Sequence, residues 1–94
     1  MTKKRQRQLL VIGGGVFQVP AIKVAKSMGL KVVVTDYNGD AEGMLMADYP
    51  IEVSTRNINL TVNAAKQFHA SCRLDGVMTR SEEHTSELQS HLNL

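Results

Sequence analysis

The chain has one cysteine, two prolines and a net charge of only +2. It also has no apolar run approaching the roughly 20 residues that span a bilayer. A lone Cys72 excludes an internal disulfide and the paired-cysteine redox and zinc motifs, and reads as a small buried hydrophobe. The basic opening is followed by Leu9-Leu10-Val11-Ile12, but Gly13-Gly14-Gly15 interrupts that apolar stretch and no small-residue cleavage site follows. It therefore does not read as a signal peptide, and the chain reads as cytoplasmic, with no membrane partner. Four of the eleven basic residues fall at positions 3–7, so the basic character belongs to an N-terminal tail, residues 1–7, read as disordered. Such a tail is not the patterned basic surface that nucleic-acid binding needs. What is present, 94 residues at 43% hydrophobic and 21% charged, suits one small globular domain and excludes a two-domain enzyme.

Composition shifts abruptly near the end, where Arg80 to Ser90 read RSEEHTSELQS. Back-translated, this stretch resembles a common sequencing-adapter oligonucleotide read in frame, so residues 80–94 are expected to be non-native. His84, Glu87 and His91 stand at roughly helical spacing, but within adapter-like text they carry no metal-site reading.

Residues 8–79 alternate between strand and helix signals. Leu9 to Ile12 form a short continuous apolar run ending at three glycines, which suits a strand buried on both faces of a parallel sheet. Pro20 fits a first helical turn; Ala21, Ile22, Val24, Ala25 and Met28 then recur at helical spacing until Gly29 supplies a left-handed exit. Lys31 to Thr35 read as a second strand with Asp36 at its carboxyl end. A helical turn within 43–48 precedes a third, edge strand at Ile51 to Val53, introduced by Pro50. Asn57 or Asn59 caps a second helix bearing Leu60, Val62, Ala64, Ala65 and Phe68 on its apolar side, and Asp75 to Thr79 form a fourth strand. Right-handed crossovers convert this order into an incomplete Rossmann-like α/β fold, a parallel sheet ordered 3-2-1-4 with helices on both faces. One edge and parts of both faces are left bare, which predicts self-association.

In such sheets ligands sit beyond the carboxyl ends of the strands, where the order reverses. The glycines there permit close backbone approach, and the helix behind them presents unpaired N–H groups. A dinucleotide fingerprint needs Gly-x-Gly-x-x-Gly. Gly13 and Gly15 supply the first two glycines, while Gln18 stands at the third, which is the one that allows tight helix–strand packing beneath a pyrophosphate. Asp36 only partly restores that reading, since it can bond a ribose or its own loop. Three alternatives stay open: a nicotinamide- or flavin-binding half, a tight turn with no ligand, and a site of another kind.

The stretch from Leu9 through Thr55, with Asp75-Gly76-Val77-Met78-Thr79 later, resembles the N-terminal domain of ATP-grasp ligases of the carbamoyl-phosphate-synthase-like, biotin-carboxylase-like and purine-biosynthetic groups. The resemblance rests on the order and spacing of the glycine loop running into Gln18-Val19-Pro20-Ala21, of Thr35-Asp36, and of Ala41-Glu42-Gly43 to Ala47-Asp48. It implies a homo-oligomeric parent enzyme that activates a carboxylate with Mg-ATP and lets an amine or similar nucleophile displace phosphate. It further implies that ATP and magnesium are held mainly by later domains, and that this domain is inactive alone with no cofactor of its own. Its glycine loop would form a wall of the acceptor-substrate site, for a small carboxylate or amine. By that resemblance Gly14, Gly15, Phe17, Gln18 and Asp36 are the substrate-contact candidates, with Phe17 as core filler the competing reading. The alternatives are an NAD(P)-binding half of an oxidoreductase and a non-catalytic α/β domain.

The remaining residues read as structural. Met28, Met44, Met46 and Met78 are expected in the core. His69 is expected to favour its helix dipole or face solvent; a Cys72–His69 nucleophile pair would need a placement that spacing does not show.

Overall fold

The computed structural model describes residues 6–54 and 58–79. Strands β1 (Gln8–Ile12), β2 (Lys31–Asp36), β3 (Tyr49–Glu52) and β4 (Gly76–Thr79) form one parallel sheet in the order β3-β2-β1-β4. This is the α/β architecture and strand order that the sequence predicts. The adapter-like segment 80–94, the basic residues 1–5 and the cap candidate Asn57 lie outside the described residues.

The two central strands carry the apolar runs because both of their faces are covered. On one face Val11, Val32 and Val34 pack with Ile22 and Ala25 of α1 (Val19–Ser27) and Met44 of α2 (Glu42–Met46). On the other, Leu10, Ile12, Val33 and Val77 pack with Val62 and Ala65 of α3 (Ile58–Ser71) and with Leu74. Each fully buried aliphatic side chain contributes about 1.5–3 kcal/mol, so these layers dominate the stability of the domain.

Local chemistry sets the element ends. Pro20 lies in the first turn of α1, where its missing N–H has no acceptor to lose. The helix closes in a Schellman motif: Leu30 N–H donates to Ala25 O at 3.1 Å and Gly29 N–H to Lys26 O at 3.0 Å, with Gly29 at φ 83°. Asp48 extends the ladder at the head of β3, its N–H donating to Val32 O at 2.9 Å while its Oδ2 accepts from Val32 N–H at 2.8 Å. β3 therefore starts earlier than expected, and Pro50 lies inside it, paired with Val34 on the edge strand.

Several packing expectations need correction. Cys72 is exposed rather than buried, because it follows the last turn of α3, on the loop into β4. Met44 is in the core and Met46 packs against it, but Met28 and Met78 are exposed, as are Val24 and Leu60. Val24, Met28 and Met78 share an apolar groove with Leu9, Pro20 and Leu30, along the side of α1 that faces β4. His69 neither faces solvent freely nor serves only the dipole: its Nδ1 accepts from Leu74 N–H at 2.9 Å, pinning the loop that leads to β4.

Candidate functional site

The sheet delivers three segments to one rim: the glycine loop after β1, the end of β2 and the start of α2. Gly13 leaves β1 at φ 93°, a left-handed conformation that favours glycine, and its N–H donates to Thr35 O at 2.6 Å. Gly14 is buried, and its N–H donates to Asp36 Oδ2 at 2.6 Å. The other Asp36 oxygen, Oδ1, accepts from Asn38 N–H at 3.0 Å. Asp36 is only 8% exposed, so its carboxylate is spent on its own backbone neighbourhood and holds the loop rather than reaching outward.

Helix α2 lies directly on this inner arm. Gly43 N–H donates to Gly14 O at 2.7 Å, and a Cβ on Gly43 would come within 2.7 Å of Gly14 O and 2.8 Å of Gly14 Cα. Only glycine fits there. A Cβ on Gly14 would in turn stand 3.1 Å from Met44 N and 3.2 Å from Val34 Cγ1. Gly43 belongs to the Ala41-Glu42-Gly43 stretch of the sequence reading but is not among its site candidates, although a signal is present. Glycine inside a helix is unfavourable by about 1 kcal/mol relative to alanine, and a close backbone contact is a standing reason to accept that cost.

The outer arm differs. Gly15 is exposed at φ −68°, ψ 172°, an ordinary extended conformation, and caps a single 3-10 turn, Val16–Gln18. Phe17 is 73% exposed, so the core-filler reading fails and its ring stands at the rim, as do Val16 and, on α2, Leu45. Gln18 is half-buried, and its carboxamide folds back over the loop. Oε1 lies 3.5 Å from the position of a Cβ on Gly15, and Nε2 3.7 Å from that on Gly13. The five predicted contact residues thus fall into two groups: Gly14 and Asp36 bond each other in the interior, and Gly15, Phe17 and Gln18 face outward together.

The described residues contain no group of three or more His, Cys, Asp or Glu side chains able to hold a metal ion. Nor do they contain a helix long and apolar enough to cross a membrane. A Cys72–His69 nucleophile pair gains no support from this arrangement, in which His69 Nδ1 is engaged by Leu74 N–H.

The solved structures that share the fold include three ligases and synthetases. An L-amino acid ligase from Bacillus licheniformis is 24% identical with a TM-score of 0.69, over 98% of this chain and 25% of its own. A phosphoribosylglycinamide synthetase from Anaerococcus prevotii is 22% identical with a TM-score of 0.68, over 94% of this chain and 22% of its own. An N5-carboxyaminoimidazole synthetase from Staphylococcus aureus, solved with ADP, is 22% identical with a TM-score of 0.68, over 98% and 24%. At these identities the likeness is one of fold, and the chain spans about a quarter of the length of each. No curated protein matches the sequence. The family described as alanine dehydrogenase/PNT, C-terminal domain, matches residues 2–91, and with that match over nearly its whole length the chain belongs to this family.

Proposed function

We propose that the chain is the opening α/β domain of an ATP-dependent ligase that activates a carboxylate for attack by an amine or similar nucleophile. In this reading the outer arm of the glycine loop, Gly15 to Gln18, is a wall of the acceptor-substrate site. The observation that carries it is the division of the loop: the inner arm is closed by Asp36 and α2, whereas the outer arm presents backbone, an aromatic ring and a carboxamide. A loop built this way positions a neighbouring ligand instead of wrapping a phosphate. The shared fold with three ligases supports the same reading. In this reading ATP and Mg belong to later domains of the parent, and the residues of this domain serve to bind and orient the acceptor. The domain is inactive alone; its parent is a homo-oligomer that takes a small carboxylate or amine.

A second reading, a nicotinamide-binding half of an oxidoreductase, is favoured by membership in the alanine dehydrogenase/PNT family. Against it stand the engaged Asp36 carboxylate and the position of Gln18. Reading the source DNA beyond Thr79 separates the two. The ligase reading expects a fifth strand and, some tens of residues on, a lysine-bearing ATP-clamp domain. A frame that continues without them contradicts it, as does saturable NADH fluorescence on titration of the 94-residue chain.

A further inference from the structure

We infer that Gln18 sets the ligand specificity of this rim, closing the glycine loop to a dinucleotide pyrophosphate and selecting an uncharged hydrogen-bonding group on the acceptor. The inference rests on the ligase reading above and names the chemistry of its acceptor.

The backbone of Gln18 is fixed, its N–H donating to Gly15 O at 3.0 Å and its φ, ψ of −88°, −15° forming the N-cap of α1. From that anchor the side chain spans Gly13 and Gly15, within 3.5–3.9 Å of where their Cβ atoms would be. The carboxamide therefore lies over the loop, within ordinary van der Waals reach of both glycine positions. In a Gly-x-Gly-x-x-Gly loop the second glycine lets the backbone approach the pyrophosphate and the third lets the helix pack close to the strand; in this loop the side chain at the third position lays its carboxamide over the second, Gly15. Here it presents one carbonyl oxygen and one amide nitrogen, and neither has a hydrogen-bond partner among the described residues. Beneath it the Gly14 N–H, which would add to the positive character of the loop, already bonds the Asp36 carboxylate. An anion arriving at this rim meets the Gln18 carbonyl oxygen over Gly15, and the Gly14 N–H that could have held it is already taken by Asp36. A neutral group that both donates and accepts, such as a carboxamide, pairs with both ends of Gln18. Phe17, exposed beside it, offers an apolar surface to the rest of such a ligand.

The test uses the full 94-residue chain as wild type, Gln18→Gly and Gln18→Ala, each checked by circular dichroism for a retained fold and titrated with NADH by fluorescence. Gln18→Gly restores the complete glycine fingerprint and is expected to bind NADH at least about tenfold more tightly than wild type, a difference easily resolved by titration. Gln18→Ala is expected to show a smaller gain and decides the matter if the glycine variant does not fold. Silent wild type with no gain in a folded variant overturns the role of Gln18 alone; saturable NADH binding by wild type overturns the ligase reading as well. In a parallel NMR titration, the Gln18 side-chain amide resonances are expected to shift with acetamide and not with inorganic pyrophosphate. The reverse pattern overturns the proposal.

Discussion

The two arms of one glycine loop, adjacent in the chain, live in different physical regimes. Gly13 and Gly14 are there because the chain must turn left-handed and then pass so close under a helix that a Cβ on Gly14 would press on Met44 and Val34. Gly15 has an ordinary backbone conformation, and a Cβ placed on it would meet nothing closer than 3.5 Å, so neither strain nor crowding demands glycine. The inner pair serves folding, through hydrogen bonds to Thr35, Asp36 and Gly43. The outer residue leaves space at a rim where ligands of parallel sheets are bound. A row of identical residues therefore need not have one cause.

Substitutions on the two arms are expected to separate them. The largest effect is expected from Gly43→Ala, whose Cβ meets Gly14 backbone atoms that cannot move without dismantling the loop. Overpacking of this kind costs on the order of 3 kcal/mol, or roughly 10–20 °C in melting temperature for a domain of this size; thermal denaturation followed by circular dichroism measures it. A loss under a few degrees would mean that α2 does not rest on the loop. Next comes Asp36→Ala, which strands the buried Gly14 N–H and removes a second bond to Asn38. It is expected to cost about 2–3 kcal/mol in urea denaturation, with Asp36→Asn milder because an acceptor oxygen remains. A neutral result for the alanine variant would show that the carboxylate is not a structural latch.

On the outer arm, Gly15→Ala and Phe17→Ala are expected to change stability by no more than about 0.5 kcal/mol. A larger loss from Phe17→Ala would return that ring to the core. The smallest effect on folding, but a visible one on behaviour, concerns the groove beside β4. There Val24→Lys with Met28→Lys is expected to leave the melting temperature nearly unchanged and to reduce the self-association seen by size-exclusion chromatography. A wild-type chain that elutes as a sharp monomer would contradict the expectation that its bare apolar faces associate.

The architecture was legible because it depends on signals that are local in the chain. The valine run of β2, the glycine exit at Gly29 and the proline at the head of α1 each mark one element, and handedness rules then order the strands. Packing partners were less legible. Helical spacing identifies Val24, Met28 and Leu60 as apolar, but periodicity does not say which apolar positions a neighbouring element covers, and these three are exposed. Cys72 departs from expectation for a related reason, since the buried habit of cysteine is a tendency of the residue type and not of its place after a helix. The site showed the same limit. Sequence brought Gly14, Gly15, Phe17, Gln18 and Asp36 to one rim, but whether Asp36 points to a ligand or to Gly14 is decided by a contact between residues 22 positions apart. The bearing of Gly43 on Gly14 is likewise a long-range contact, visible beforehand only as a glycine in the Ala41-Glu42-Gly43 stretch at the start of a helical turn.

The division of the loop is tested most directly by amide hydrogen exchange of the 94-residue chain, read by NMR at Gly13, Gly14, Gly15 and Val16. Such a division requires slow exchange at Gly13 and Gly14, whose N–H groups bond Thr35 O and Asp36 Oδ2, and fast exchange at Gly15 and Val16 on the open rim. Uniformly fast exchange across all four, under conditions where the β1 and β2 amides stay protected, would contradict it.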